Sequence, residues 1–278
     1  MARRAAISGG DQAYLRQVQY RDGSKLSDRA QLHVKYSIAS VAWFPWLSRQ
    51  IEWPTSARVL DVGCGTGWLW AEAAPSLPDD LDLTLTDLSI GMVRDALGRV
   101  SGRGRHRRVT GHVADVQQLP YTAEQFDVVV ANHMLYHVPD PRLAVREMAR
   151  ALRPDGVVLA ATNGPAHLRE LWEIREEVFG GGSGRWFSDV FGIDNGGAML
   201  REQFADVTWH PYDDRLICLD PDDVLTFMCS CPPAESATPA QLHHMSQVVE
   251  ARFAAGAGVL EVEKETGVFT CRSPHPKP

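Results

Sequence analysis

The stretch Arg58-Val59-Leu60-Asp61-Val62-Gly63-Cys64-Gly65-Thr66-Gly67 decides the fold of this 278-residue chain. An apolar run containing one acid leads into three glycines at alternate positions, and an apolar-periodic stretch begins at Trp68. Glycine is required where the backbone takes a positive φ or approaches a ligand with no Cβ in the way. The pattern therefore predicts a strand, a tight turn and a helix. In an α/β sheet the first such unit holds a nucleotide-like cofactor.

Two residues beside the glycines distinguish two kinds of cofactor. The third glycine of the dinucleotide fingerprint lets the helix pack closely on the strand, and Trp68 occupies that position here. Asp61 stands two residues before the first glycine, where it would repel a pyrophosphate but suit a positively charged ammonium group. These residues favour S-adenosylmethionine over a nicotinamide dinucleotide, and a nicotinamide-dependent oxidoreductase becomes the weaker alternative.

Strands alternate with helices of about ten residues after this turn, which predicts a doubly wound α/β fold with a mostly parallel, seven-stranded sheet. We expect strands at 59–62, 81–86, 112–115, 126–131 and 157–161, and helices at 67–75, 90–100, 141–152 and 166–178. Ser89 is the expected cap of the second helix. Further along, 204–210 and 215–219 suggest an antiparallel hairpin, followed by a helix from 221, a linker at 232–240, a long helix at 240–255 and a short strand-like end.

The chain divides into four predicted parts. Residues 1–50 form an N-terminal helical lid, and 51–164 form the cofactor-binding α/β core. Residues 165–201 form a cap over the substrate, inserted after strand five. Residues 202–278 add the strands and helices that complete the same domain.

Composition excludes several classes of function. The net charge of −7 argues against sequence-independent binding of nucleic acid, which needs a basic face, although the run at 103–108 is basic. No apolar run approaches the roughly 20 residues of a membrane span, and the basic start of the chain precedes no secretory apolar stretch. Cys229 and Cys231 have no second ligand pair, so we expect free thiols and no metal. A cytoplasmic protein, monomeric or homodimeric, is predicted.

Several segments together resemble class I S-adenosylmethionine-dependent methyltransferases, especially a bacterial branch common in natural-product pathways. Residues 59–67 resemble the first motif of that family, 83–89 the second and 112–120 the third. Residues 126–138 and 152–157 resemble its fourth strand and the turn into the fifth, with Asp155 replacing one of two usual glycines. The resemblance covers roughly residues 55–164 in the order and spacing of the family.

The resemblance assigns the cofactor contacts. Asp87 matches the acid that binds both ribose hydroxyls, and Asp115 the acid that takes the adenine amino group, although either could merely cap a turn. The backbone carbonyl of Asn132 matches a contact to the ammonium group of the cofactor. The complete predicted cofactor site is Asp61, Gly63, Gly65, Gly67, Asp87, Leu88, Asp115, Val116 and Asn132.

Methyl transfer from a sulfonium depends mainly on aligning the reacting atoms, and a base is needed only where the acceptor loses a proton. The segment after strand four offers His137, where related small-molecule enzymes place a base, and His133. Either imidazole could instead hold its own loop by hydrogen bonds. Tyr20, from the N-terminal helices, is the third candidate and closes over the cofactor unless it belongs to the core.

The acceptor is predicted to be a small, aromatic metabolite. The segment Asn132-His133-Met134-Leu135 lacks the Pro-Pro-aromatic turn and the cysteine by which DNA-base methyltransferases act. Aromatic residues in the predicted cap suit such an acceptor, or form a small core of their own: Trp172, Trp186, Phe187 and Phe191. Methylation of an indole-type ring carbon, and cofactor binding without methyl transfer, stay open as alternatives.

Overall fold

A computed structural model describes residues 11–101, 106–180 and 186–275, with Trp186 described only in its main chain. The strands are β1 (Arg58–Val62), β2 (Asp82–Asp87), β3 (Arg108–Val113), β4 (Phe126–Asn132), β5 (Leu152–Asn163), β6 (Phe204–Cys218) and β7 (Leu260–Pro274). They form one sheet in the order β3-β2-β1-β4-β5-β7-β6. The first five are parallel, while β7 runs antiparallel to both β5 and β6. The predicted doubly wound, mostly parallel fold is confirmed.

Helices cover both faces of this sheet. They are α1 (Ser24–Tyr36), α2 (Trp43–Ser48), α3 (Trp68–Glu72), α4 (Ile90–Ser101), α5 (Pro141–Ala151), α6 (Arg169–Phe179), α7 (Trp186–Phe191), α8 (Ile193–Arg201), α9 (Pro221–Cys229) and α10 (Pro239–Ala255). Before α1, a helical segment at Gln12–Tyr14 continues into a π-helical turn at Leu15–Gln19. Ser89 Oγ accepts a hydrogen bond from Met92 N, 3.3 Å away, as expected of the cap of α4. No helix in these ranges is both long and apolar enough to cross a membrane.

The centre of the sheet is buried on both faces because successive residues of a strand point to opposite sides. In β4, Val129 packs in one cluster with Met148 of α5, whereas Val128 and Val130 pack in the opposite cluster with Leu83. All five side chains are fully buried. A continuous apolar run is therefore the sequence pattern that such a strand requires.

The predicted hairpin at 204–219 is wrong, because residues 204–218 form the single strand β6. Its partner is β7, in a register that runs from Phe204 opposite Pro274 to Cys218 opposite Leu260. Pro211 lies within this strand, and β6 is at the edge of the sheet, where a proline is tolerated. The strand-like end that we predicted to be short is β7 itself, which lies inside the sheet between β5 and β6.

Smaller differences concern element boundaries. Strand β5 begins at Leu152 and so includes the predicted turn at 153–156, with a register shift against β4 between Phe126 and Val128. Strand β3 ends at Val113, two residues before the predicted end. The predicted helix 67–75 consists of α3 and a 3-10 turn at Ala74–Ser76. Residues 1–10, residues 103–105 of the basic run and the glycines at 181–184 lie outside the described ranges.

A buried ion pair fastens the N-terminal segment to β6 and β7. Asp214 accepts hydrogen bonds from Ser37 Oγ at 2.8 Å and from the backbone N of Ile38 and of Ala39, both at 3.1 Å. Its fourth donor is Lys264 Nζ at 2.5 Å, and both charged side chains are buried, at 0% and 7% exposure. The chain leaving α1 is therefore held against the far half of the sheet.

Removing this carboxylate should cost much of the stability of the fold. Asp214→Ala leaves the Lys264 ammonium without its partner inside the protein, and we expect the free energy of unfolding to fall by about 3 kcal/mol or more. Glu177→Ala breaks a similar pair with Arg252 that lies on the surface, at 48% and 42% exposure, and should cost less than about 1 kcal/mol. Urea unfolding followed by circular dichroism measures both, and equal losses would contradict the structural role of Asp214.

Candidate functional site

The glycine turn after β1 adopts a backbone that only glycine takes without strain. Gly63, Gly65 and Gly67 have φ of +66°, +52° and +76°. A Cβ on Gly63 would lie 2.8 Å from the side chain of Met134, and one on Gly67 would lie 3.0 Å from Ala96 of α4. The turn is thus fixed by close packing on two sides as well as by its dihedral angles.

Asp61 is a buried acid beside this turn. Its Oδ2 accepts a hydrogen bond from Trp70 Nε1 at 2.7 Å. Its Oδ1 is buried and has no hydrogen-bond partner in the part of the chain that the structure describes. Burial raises the pKa of Asp61 to about 7. A buried carboxylate oxygen without a donor suits a cationic ligand group, as the sequence predicts.

Asp87 ends β2 and ties that strand to the glycine turn. Its carboxylate accepts hydrogen bonds from Gly65 N at 3.1 Å and from Ser89 N at 2.9 Å. Burial raises the pKa of Asp87 to about 6, although these backbone N–H groups act in the opposite direction. Asp87 therefore shapes the turn, and Leu88 beside it lines the same cavity.

Asp115 follows β3 and accepts hydrogen bonds from Gln117, through the backbone N at 2.9 Å and through Nε2 at 3.1 Å. It holds a turn, as the alternative interpretation expects, while also lining the cavity with the buried Val116. Asn132 ends β4, and its Oδ1 accepts a hydrogen bond from Trp43 Nε1 at 3.1 Å. The cofactor contact of its backbone carbonyl stays a prediction.

One cavity of about 970 Å³ joins these residues to the candidate catalytic side chains. Of the predicted cofactor residues, Gly67 alone does not line it and instead packs on α4. The lining also includes residues that the sequence did not assign to the cofactor, and we call this part of the cavity the far chamber. The residues that line the far chamber are His33, Trp43, His133, Asn163, His167, Tyr212, Lys264 and Thr266.

Tyr20 and His137 line the same cavity and contact each other. Tyr20 Oη lies 2.8 Å from His137 Nε2, within hydrogen-bonding distance. Gln12 Nε2 donates to the backbone O of His137 at 2.8 Å, and the imidazole also makes edge contacts with the rings of Tyr136 and Phe187. Burial raises the pKa of Tyr20, so the phenol stays protonated at neutral pH. The two side chains can therefore share or pass a proton.

His133 lies in the far chamber in a different setting. Its φ is +56°, its ring lies 4.9 Å from that of Trp43, and its Nδ1 is buried with no partner among the described residues. Burial lowers the pKa of His133 to about 3, helped by the charges of Lys264 and His137. The imidazole is neutral at physiological pH and is a weak base.

The aromatic residues that line the cavity differ from those named for the cap in the sequence analysis. Phe191 is fully buried under the sheet, and Phe187 packs on Tyr136 and His137 without lining the cavity. Trp172 also lies outside the lining, and the side chain of Trp186 is outside the described part. Trp172, Phe187 and Phe191 thus do not line the cavity, which favours the alternative that they pack among themselves and their neighbours. The aromatic residues that line the cavity are Tyr20, Trp43, Phe44, Trp68, Tyr136 and Tyr212.

Sequence reasoning also missed the polar groups of the far chamber. Lys264 and Thr266 belong to β7, whose place in the sheet was not foreseen, and His167 belongs to the segment before α6. Burial lowers the pKa of His33 to about 3 and that of His167 well below its usual value. No local pattern indicates these residues, because only long-range strand pairing brings them together. Three or more potential metal ligands do not cluster anywhere in the described ranges.

Comparisons with known proteins agree with this geometry. Residues 60–160 match a family model described as a methyltransferase domain. A malonyl-[acyl-carrier protein] O-methyltransferase from Laribacter hongkongensis is 32% identical over 154 residues, which are 54% of this chain and 51% of that protein. A 27-O-demethylrifamycin SV methyltransferase from Amycolatopsis mediterranei is 39% identical over 151 residues, 52% of either chain. The match thus spans about half the length of these curated relatives.

Solved structures show the same fold at lower identity. A phosphoethanolamine N-methyltransferase from Haemonchus contortus, in complex with S-adenosyl-L-methionine, superimposes with a TM-score of 0.58 at 19% identity, covering 94% of this chain and 59% of that one. Fold, site and family model together define an α/β methyltransferase domain. Residues 60–160 thus carry a methyltransferase domain of the class I S-adenosylmethionine-dependent kind, for which S-adenosylmethionine is the cofactor.

The buried acid at the turn gives a prediction with a defined sign. Above pH 7 the folded, cofactor-free protein keeps an ionised Asp61 in a buried place, whereas the unfolded chain ionises it freely. Asp61→Asn should therefore raise the unfolding temperature at pH 8, and the gain should shrink as the pH falls from 7 towards 4. The same substitution should weaken binding of S-adenosylhomocysteine at pH 8.

Thermal unfolding between pH 5 and pH 8 and calorimetric titration measure the two effects. Asp155→Asn, which removes an exposed carboxylate in the same core, is the matched control and should change neither. Unchanged affinity in Asp61→Asn would contradict the assignment of this acid to the cofactor.

Proposed function

We propose that this protein transfers a methyl group from S-adenosylmethionine to a small, aromatic acceptor. The observation that carries the proposal is the Tyr20–His137 contact, which lies in the same cavity as Asp61 and Asp87. The volume of about 970 Å³ is that of a site for small molecules. The residues predicted to bind the cofactor, apart from Gly67, and the Tyr20–His137 pair therefore line one cavity.

The residues at the cofactor end fit the cofactor. Asp61 offers a carboxylate oxygen that lacks a donor, which suits an ammonium group. Gly63 and Gly65 line the cavity with no side chain, so a ligand can approach the backbone. Asp87 and Asp115 present carboxylates to the same space, as the family's ribose and adenine contacts require.

When bound, S-adenosylmethionine supplies a methyl group on a positively charged sulfur, which a nucleophile displaces in line. In that reaction the side chains of this protein position the acceptor and accept its proton. His137 takes up a proton from an acceptor hydroxyl or amine, directly or through the Tyr20 hydroxyl, or else orients that group. His133, with its pKa of about 3, is poorly suited to accept a proton and better suited to hydrogen-bond a neutral acceptor.

Aromatic side chains support the acceptor class. Trp43 contacts both Tyr212, with ring centres 5.1 Å apart, and Trp46, at 5.2 Å, so the wall of the far chamber is a connected aromatic surface. Flat rings bury a large apolar area against such a surface. The rifamycin relative, which is named for O-methylation of a natural product, also favours a hydroxyl acceptor.

Two alternatives make different predictions. A ring-carbon acceptor of the indole type needs no strong base, so its methylation would depend little on His137. A protein that binds the cofactor without transferring methyl would show no labelled product with any acceptor. Incubation with cofactor labelled in the methyl group, followed by mass spectrometry and NMR of the product, separates these cases from O- or N-methylation.

Substitutions in the pair should affect turnover rather than cofactor binding. His137→Ala should lower kcat by about 100-fold or more, the range of general-base catalysis, and Tyr20→Phe should lower it less. The affinity for S-adenosylhomocysteine should change less than threefold, on the order of what loss of one peripheral contact gives. His243→Ala, at an exposed position on α10, is the control. A rate in His137→Ala equal to that of the wild type would remove this histidine from catalysis.

A further inference from the structure

Arg29 of α1 is a cation in the cavity wall with no carboxylate partner in the described part of the chain. Its Nε donates to the backbone O of Lys25 at 3.1 Å. Its guanidinium carbon lies 5.3 Å from the centre of the Tyr20 ring, and its Nη2 is enclosed with no hydrogen-bond partner among the described residues. Arginine is seldom buried unless paired, because an uncompensated charge inside a protein is costly.

The neighbours of Arg29 do not supply the missing negative charge. The titratable groups whose charges act on it are Tyr20, Cys231 and Tyr136. Burial raises the pKa of all three above their usual values, so each is neutral at pH 7. The guanidinium thus faces phenols and a thiol, which can stack on it or accept its hydrogen bonds but do not neutralise it.

Three acids that line the cavity, Asp61, Asp87 and Asp115, belong to the predicted cofactor site. Three cations besides Arg29 also line it. Lys264 is neutralised by Asp214, Lys35 pairs with Asp223, and Arg16 is exposed to solvent. Among the described residues, Arg29 is therefore the enclosed cation of the lining whose charge a ligand can compensate.

We propose that Arg29 binds an anionic group of the acceptor, either a carboxylate or a phosphate. This inference rests on the proposed function, in which the far chamber receives the acceptor. A planar guanidinium pairs with either anion through two parallel N–H donors, so it would fix orientation as well as add affinity. Since Arg29 and His137 both contact Tyr20, an acceptor anchored there keeps its remaining groups near the proton-handling pair.

Binding to the protein loaded with S-adenosylhomocysteine tests this without any turnover, so a failure of methyl transfer leaves the test intact. Benzoate and phenyl phosphate are the anionic probes, and benzamide is the neutral probe of matching shape. Wild-type protein should bind one or both anions at least about tenfold more tightly than benzamide in calorimetric titrations, the value of one charge-assisted pair. The better anion identifies the carboxylate or the phosphate. Equal binding of all three probes would overturn the proposal even if no variant folded.

Variants then locate the effect. Arg29→Gln should remove the preference for the anion and leave benzamide binding unchanged, while Arg29→Lys should retain part of it. Arg146→Gln, which removes an exposed charge from α5, should behave as the wild type. An unchanged anion preference in Arg29→Gln would overturn the proposal. So would a loss of S-adenosylhomocysteine affinity in that variant, because Arg29 would then serve the cofactor.

Discussion

The carboxylate of Asp214 accepts four hydrogen bonds inside the protein, and one of its donors, Lys264, lines the far chamber. Three donors come from the chain that follows α1, and the fourth is Lys264 on β7. Through this group the N-terminal segment, which carries Arg29 and His33, is fixed over the sheet. The same segment is also held by hydrogen bonds from Ile38 N to Arg215 O and from Tyr212 Oη to Val41 O. Asp214 thus helps to position residues that line the cavity without lining it itself.

Several titratable groups that line the cavity are buried, so their charges interact strongly. Burial raises the pKa of Asp61 to about 7 and lowers that of His133 to about 3, so each prefers its neutral form. A cationic cofactor changes this balance, because it favours the ionised form of Asp61. The same low polarity strengthens the hydrogen bond between His137 and Tyr20 relative to one in water.

Features that follow from local sequence pattern could be predicted, whereas features that depend on long-range strand pairing could not. Asp61, the glycines, Asp87 and Asp115 lie at or just beyond the carboxyl ends of parallel strands, which meet at one edge of the sheet, so their convergence follows from alternation alone. The position of the far-chamber residues does not follow from this alternation. The wall of this chamber depends on β6 pairing with β7, which are separated by two helices, and on Pro211 continuing a strand instead of turning it. The position of Phe191 could not be predicted for a related reason, since its burial under the sheet depends on the packing of α7 and α8.

Strand β7 comes last among the strands and yet lies between two that precede it. During synthesis, β6 cannot join the sheet beside β5 until residues 260–274, which form the strand between them, have left the ribosome. The first five strands, which carry the cofactor residues, need no such delay. A nascent chain could therefore assemble its cofactor half while the acceptor half is still open. Loop closure over such a distance is slow compared with the local steps before it, so the two halves of one cavity mature at different times.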